Sequence, residues 1–226
     1  MHLYISNLLG SGVTATDGEV GIVQDFYFDD QSWIIRYLIV KTGDWLSGRK
    51  VLLSPLSLVN EPGKPGSFLV NLTKEQIRKS PDIDTEKPVY RQQEIELSDY
   101  YPGLDYWGAG HYKGGKANAS IVFDRQIIKK AFDKDNNPGV DLHLQSILHM
   151  TEYHIHAMDG EIGHAKDFII DDGTWKLEYL VVETHKFFQS KQVLVGIGNI
   201  RKEQWSNSEI YVNITRHALK NSSAHP

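Results

Sequence analysis

The sequence contains no cysteine among its 226 residues. This excludes a disulfide framework and thiolate chemistry, and it suits a reducing compartment. No apolar run approaches the ~18 residues that a membrane span requires. The first residues, MHLYISNLLGSGVTATDG, lack the basic and apolar regions of a signal peptide. We therefore expect a soluble, cytoplasmic protein without a membrane span.

The chain also lacks the motifs of common enzyme classes. No G-x-S-x-G or H-E-x-x-H occurs, and the glycines at 108–110 and 114–115 do not follow a strand and open a helix as a dinucleotide fingerprint does. The sequence predicts no catalytic residue and no cofactor, and hence a protein that is not an enzyme.

A formal net charge of −5 gives no bulk attraction to phosphate. We therefore expect no DNA partner, and the charge disfavours RNA. One mild basic cluster lies beside aromatic residues, as in surfaces that bind single strands. It consists of Lys113, Lys116, Arg125, Lys129 and Lys130.

An internal repeat dominates the sequence. Residues 17–42, DGEVGIVQDFYFDDQSWIIRYLIVKT, recur 142 positions later as 159–184, DGEIGHAKDFIIDDGTWKLEYLVVET. Half of the 26 aligned pairs are identical, without a gap. The spacing persists beyond this core, because the segment 70–73, VNLT, returns as VNIT at 212–215. Such a repeat predicts two copies of one structural module.

Within each copy the pattern predicts a β-hairpin, because two runs rich in β-branched and aromatic residues flank a polar break. Two-residue alternation places four apolar side chains of the first run on one face. They are Val20, Ile22, Phe26 and Phe28. A short helix opening at Thr73-Lys-Glu-Gln76 with a capping box should close the module.

We expect an all-β protein of two small barrels with short terminal helices. Module 1 spans residues 1–80 and module 2 spans residues 143–226. A long irregular connector, residues 81–142, is rich in aromatic residues and glycine around YYPGLDYWGAG. The two modules are expected to pack on each other, because units this small bury little core alone. We expect a pseudo-two-fold or similar packing.

The pattern DGE-x-G, DF, DD, W, Y-L-x-V-x-T and a following V-L strand resembles the PRC-barrel family, which is named for the cytoplasmic domain of the H-subunit of the photosynthetic reaction centre. The resemblance is strongest over residues 13–60 and 155–202. It implies the barrel fold and a role in assembly, docking or RNA processing. The connector also resembles those of free-standing bacterial proteins with two such barrels. The transmembrane helix that the reaction-centre protein carries has no counterpart in this sequence.

The repeated carboxylates are the first candidates for chemistry, since hydrolysis or metal binding needs convergent acids. They are Asp17, Glu19, Asp25, Asp29 and Asp30, with their partners Asp159, Glu161, Asp167, Asp171 and Asp172. Aspartates of this kind also cap turns. A scaffold must be specified in both copies, whereas an active site is usually complete in one. We therefore interpret the shared carboxylates as structural.

Histidines are concentrated in the second half. His154 and His156 lie two apart in a predicted strand, and His164 begins the next one. Such a set binds zinc when three ligands converge. Hydrogen-bonded or solvated histidines are the alternative, and we favour it.

Large apolar residues at loop tips mark the candidate interaction surface. Trp45 and Leu46 occupy the tip in module 1, and Phe187 and Phe188 occupy it in module 2. Tyr106 and Trp107 of the connector join them. These side chains either fold back onto the neighbouring barrel or the connector, or anchor a partner.

The sequence thus favours a non-enzymatic binding or assembly module that acts through a protein partner or self-association, including a homodimer. An RNA- or ribosome-associated adaptor is the alternative. A metal-binding protein that uses the module 2 histidines is a third hypothesis.

Overall fold

The structure, a computed structural model, describes residues 1–59, 66–80, 144–184, 192–201 and 208–220. Strands dominate these residues, and the helices are short. The prediction of an all-β fold is therefore confirmed. Phe187, Phe188, Tyr106 and Trp107 lie outside the described residues, as does the basic cluster of the connector.

Most elements of the two modules correspond in order, although β6 of module 1 has no strand equivalent in the described part of module 2, and an α-helix follows the first strand only in module 2. Module 1 comprises β1 (His2–Tyr4), β2 (Gly12–Ala15), β3 (Gly18–Asp29), β4 (Ile34–Thr42), β5 (Lys50–Leu53), β6 (Leu58–Val59), β7 (Ser67–Val70) and α1 (Lys74–Lys79). Module 2 comprises β8 (Leu144–Ser146), α2 (Ile147–Met150), β9 (His154–Ala157), β10 (Gly160–Asp171), β11 (Lys176–Thr184), β12 (Gln192–Gly196), β13 (Glu209–Tyr211) and α3 (Arg216–Lys220). The offset of 142 residues thus holds for the structure as well as for the sequence.

Both modules contribute to one sheet, whose main path runs β13-β9-β10-β11-β4-β3-β2-β7-β6. The other four strands pair at the sides, β5 with β4 and β12 with β11 within their own modules. The remaining two are exchanged between modules. Strand β1 pairs antiparallel with β10, and β8 pairs antiparallel with β3. Each module therefore lends its first strand to the long hairpin of the other.

The two hairpin tips meet at the centre of this sheet, where Ile34 is the register partner of Lys176. These two residues are equivalent in the repeat, so the pseudo-two-fold axis passes between them. The amide of Ile35 donates to the carbonyl oxygen of Trp175 at 2.9 Å, and the amide of Leu177 donates to that of Trp33 at 2.7 Å. The exchange of equivalent bonds agrees with the predicted pseudo-two-fold.

The tryptophan of each tip has left-handed backbone geometry, with φ of 61° at Trp33 and 56° at Trp175. This conformation is uncommon for a bulky residue. In each hairpin the tryptophan amide closes the turn, donating to the carbonyl oxygen of Asp29 or Asp171. The carbonyl oxygen of the same tryptophan accepts a hydrogen bond from the opposite module. One residue therefore both closes its own turn and links the two hairpins.

The hydrophobic core is continuous across the axis. Phe28 stacks on Trp33 with ring centroids 5.5 Å apart, and it lies 6.2 Å from Phe168 of module 2. Trp175 crosses in the opposite direction and packs 6.3 Å from Phe26. Aromatic pairs at these separations add to the free energy gained from area burial.

The alternation expected along β3 is interrupted. Val20, Phe26 and Phe28 are buried as predicted, but Ile22 is 48% exposed. A bulge between Val23 and Asp25 turns Ile22 to the other face, and a second irregularity between Gly21 and Glu19, where β3 pairs with β2, returns Val20 to the core. The prediction that these four side chains share one face is therefore wrong for Ile22, because the two-residue period was extended through a bulge.

The repeated glycines of the DGE-x-G pattern have a steric cause. A Cβ on Gly21 would lie 1.9 Å from the carbonyl oxygen of Lys41, and one on Gly163 would lie 1.9 Å from that of Glu183. The adjacent strands approach too closely at this point for any side chain. Both copies therefore require glycine for packing rather than for chemistry.

The helix that closes module 1 begins as the sequence predicts. Thr73 accepts a hydrogen bond from the amide of Gln76, whose side chain accepts one from the Thr73 amide. In module 2, Thr215 accepts from the amide of Ala218. None of the helices in the described part of the chain is both long and apolar enough to cross a membrane.

We predict that Gly21→Ala lowers the free energy of unfolding by about 1–3 kcal/mol, because β3 and β4 must separate to admit a methyl group. Gly12→Ala is the matched control, since a Cβ there meets nothing within 4 Å. The control should be neutral or more stable by up to about 1 kcal/mol. Urea unfolding followed by circular dichroism measures both. Equal stability of the two variants would contradict the proposed steric constraint.

Candidate functional site

The repeated aspartates of the turns bond backbone amides. Asp17 accepts a hydrogen bond from the amide of Lys74 at 2.7 Å, and Asp159 accepts the equivalent one from Arg216 at 2.7 Å. Each aspartate thus ties the first turn of its module's closing helix to the β2–β3 or β9–β10 turn. The bond from the Arg216 amide lowers the pKa of Asp159, which keeps this carboxylate ionised.

The second pair of aspartates shapes the hairpin tips. Asp29 accepts from the amide of Ser32 at 2.7 Å, and Asp171 accepts from the amide of Thr174 at 2.9 Å. Asp29 also forms an ion pair with the buried Arg36 at 3.0 Å. The hydrogen bonds from Thr174 lower the pKa of Asp171. A carboxylate held ionised in this way is poorly suited to act as a general acid.

The third pair joins the modules. Asp25 accepts from the hydroxyl of Ser146 at 2.6 Å and from the amide of Leu148 at 3.1 Å, both in module 2. Asp167 accepts from the amide and the hydroxyl of Ser6 in module 1. These aspartates thus anchor the segment that follows each exchanged strand.

Asp25 differs electrostatically from the turn aspartates. Burial raises its pKa, and the hydrogen bonds from Ser146, Leu148 and Phe26 oppose this shift only in part. A nearby positive charge at Lys50 also favours the ionised form. A raised carboxyl pKa is one signature of a catalytic acid. Here the carboxyl group is occupied by donors from the opposite module, so its position is explained by assembly of the sheet.

The histidines of module 2 form a row across the sheet. His154 and His164 are register partners on β9 and β10. His154 Nδ1 lies 2.9 Å from Glu161 Oε1, and His164 Nε2 lies 3.2 Å from Glu183 Oε2. Their hydrogen-bonding capacity is thus directed toward carboxylates on neighbouring strands.

His156 extends this row toward β13. Its Nε2 lies 3.8 Å from Glu209 Oε1, and its ring stacks on Tyr211 with centroids 5.0 Å apart. The Tyr211 hydroxyl donates to Glu209 at 2.6 Å, and this hydrogen bond raises the pKa of Tyr211. Within the described ranges, no three His, Asp or Glu side chains are grouped so that they could hold a metal ion.

The loop tip of module 1 is folded against its own module. The Trp45 indole donates from Nε1 to the carbonyl oxygen of Val20 at 2.7 Å, and Trp45 and Leu46 are half-buried against the core. Lys74 Nζ lies 4.6 Å from the centroid of the Trp45 ring, and Arg78 Cζ lies 5.8 Å from it. From the sequence we expected this tip either to fold back onto the neighbouring barrel or the connector, or to anchor a partner. In the structure Trp45 packs on its own module instead.

Sequence reasoning missed three residues of these arrangements, namely Ser6, Ser146 and Lys74. Ser6 aligns with Leu148, and Ser146 aligns with Tyr4, so comparison of the copies gives no signal for the serines. Lys74 aligns with Arg216, but the aromatic contact that distinguishes it arises only when α1 packs beside the 43–49 loop. A three-dimensional structure is needed to find such contacts.

Comparison with protein families agrees with this architecture. The profile of the PRC-barrel domain matches residues 1–77 and 155–216, which together are more than half of the chain. Each matched range contains one long hairpin together with the strands that flank it. A search of curated proteins finds no significant match.

Replacing Asp25 should separate its charge from its hydrogen bonds. Because burial raises its pKa in the folded state, the carboxyl group stabilises the fold most below its unfolded pKa, near 4, and less as the pH rises through the folded pKa. Asp25→Asn retains an acceptor without this titration. Its stability relative to the parent should therefore increase between pH 3.5 and pH 7.

Asp25→Ala is the matched control for this prediction. It should lose about 1–3 kcal/mol, because the amide of Leu148 and the hydroxyl of Ser146 lose their acceptor. Urea unfolding across the pH range measures both variants. An Asn variant as unstable as the Ala variant, with no trend in pH, would contradict this account.

Proposed function

Because this chain belongs to the PRC-barrel domain family, we propose that it is a non-enzymatic binding and assembly module that acts through protein–protein contacts. In this proposal the two modules form a single supporting body for loops and strand edges that contact a partner. The partner is either another protein or a second copy of this chain.

The use of the repeated carboxylates is the observation that carries this proposal. In each module, one repeated aspartate accepts a hydrogen bond from the closing helix, a second from the hairpin turn and a third from the opposite module. These pairs are Asp17 and Asp159, Asp29 and Asp171, and Asp25 and Asp167. The acids most suggestive of catalysis thus have structural partners in both copies. An active site needs acids whose oxygens are directed toward a substrate rather than toward the protein's own backbone.

The exchanged strands support the proposal in a second way. A shared sheet and a continuous core favour a fixed relation between the two modules. Groups displayed on a fixed body lose less conformational entropy when a partner binds. Binding surfaces on both modules would then be presented to a partner at a constant spacing.

Some of the positions at which the two copies differ have outward-facing side chains, and we place the partner contacts there. The exposed Ile22 of module 1 corresponds to His164 of module 2, and Lys41 corresponds to Glu183. The half-buried tip at Trp45 and Leu46 is the described part of the candidate interaction surface. The remaining candidates, Phe187, Phe188, Tyr106 and Trp107, stay predictions.

We predict that Leu46→Ser weakens self-association or removes a co-purifying protein, because the tip loses an apolar contact at the candidate surface. Val59→Ser is the matched control, as Val59 is 47% exposed but lies on β6. Affinity purification from the native host with quantitative mass spectrometry measures partners. Light scattering of the purified full chain measures self-association.

The two variants must first show the parent's circular dichroism spectrum. Loss of a protein partner, or of a dimer, in Leu46→Ser alone supports the proposal. A parent that remains monomeric and captures no protein would overturn it. Capture of RNA in place of protein would favour the ribosome-associated alternative instead.

A further inference from the structure

We propose that the Lys74 ammonium, held on the face of Trp45, is a docking point for a carboxylate side chain of a partner protein. This inference rests on the proposed function and assigns a chemistry to one part of its surface. The relevant elements are α1, the 43–49 loop and the β2–β3 turn of module 1.

The position of Lys74 is fixed from three sides. Its Nζ lies 4.6 Å from the centroid of the Trp45 ring, and its backbone amide is bonded to Asp17 at 2.7 Å. Its aliphatic stem runs beside Gly18, where a Cβ would lie 3.7 Å from Lys74 Cδ. The indole is itself fixed by its bond to the carbonyl oxygen of Val20. The ring that the ammonium faces is therefore held in place before an anion binds.

The neighbouring cations already have counter-ions. Glu75 pairs with Arg78 at 2.8 Å and with Lys79 at 3.1 Å. By contrast, no carboxylate among the described residues lies within ion-pair distance of Lys74. Among the described residues, the group that its charge faces is the ring of Trp45. A cation–π contact leaves the outer side of an ammonium able to donate.

Module 2 shows the same position in a neutralised form. Arg216, which aligns with Lys74, pairs with Asp159 at 3.6 Å and lies 3.2 Å from a Cβ placed on Gly160. The equivalent cation of module 1 is thus turned away from its turn aspartate and onto an aromatic ring.

The surrounding charges indicate a discrete carboxylate rather than a polyanion. Four acids belong to the elements that surround Lys74. They are Asp17 in the β2–β3 turn, Glu19 in β3, Asp44 in the 43–49 loop and Glu75 in α1. A nucleic acid or an anionic membrane would bring many phosphates against these acids, which costs electrostatic energy. One Asp or Glu side chain of a partner protein can bind the ammonium without bringing further negative charges close to these acids.

The test uses the 226-residue chain and an acetylated, C-terminally amidated eight-residue peptide of glycine and serine that carries a single central glutamate. Its matched control has glutamine in place of glutamate. Binding at low salt is followed by the ¹⁵N-indole resonance of Trp45, which is assigned by its loss in Trp45→Phe. We expect the glutamate peptide to shift this resonance and the glutamine peptide to leave it unchanged.

Lys74→Gln should weaken peptide binding by at least about tenfold, because it removes the charge-assisted hydrogen bond. Arg216→Gln alters the aligned position of module 2 and should leave the dissociation constant unchanged. Equal binding by Lys74→Gln and the parent, or no binding at millimolar peptide, would overturn the docking point. Tighter binding of single-stranded RNA or of phosphatidylserine vesicles at this site would overturn the choice of a protein partner.

Failure of the docking point is distinguishable from failure of the proposed function. If Leu46→Ser loses its partner while Lys74→Gln keeps both partner and peptide, the module is a protein-binding module with a different docking point. If the parent captures no protein and remains monomeric, the proposed function itself is wrong.

Discussion

The hydrogen bonds that Ile35 and Leu177 donate to the tryptophan carbonyls of the opposite hairpin hold the modules together at their axis. A module alone would leave these backbone groups, and the edges that β1 and β8 cover, without protein partners. An uncovered strand edge presents a row of unpaired backbone donors and acceptors that tends to pair with another strand. The pairing of the modules therefore follows from the backbone as well as from the shared core.

This constraint explains why so much of the repeated sequence is unavailable for chemistry. The DGE-x-G pattern supplies a turn aspartate that reaches the closing helix and a glycine that permits close approach of two strands. The following aspartate, Asp25 or Asp167, reaches across to the other module. The residues of the repeated signature thus mainly make contacts within and between the two modules.

The fold could be predicted from the sequence because the repeat offset, the hairpin pattern and the capping box at Thr73 are local signals. The exposure of Ile22 could not, since the two irregularities that flank it in β3 have no reliable sequence marker. The strand exchange also escaped prediction, because β1 and β8 carry short, ordinary patterns. For the candidate surface, the sequence identified Trp45 as unusual but not its partners. Those partners, Val20 and Lys74, are distant in sequence.

The exchange of strands also sets an order of events during synthesis. The segment of β3 that pairs with β8 leaves the ribosome long before residues 144–146 are synthesised. Strand β1 is made first and has no partner until residues 169–171 follow. Module 1 cannot complete its sheet while it is the only module made, and an uncovered strand edge is a template for wrong pairing. Nascent chains are thus exposed to mispairing until the second copy of the repeat has emerged.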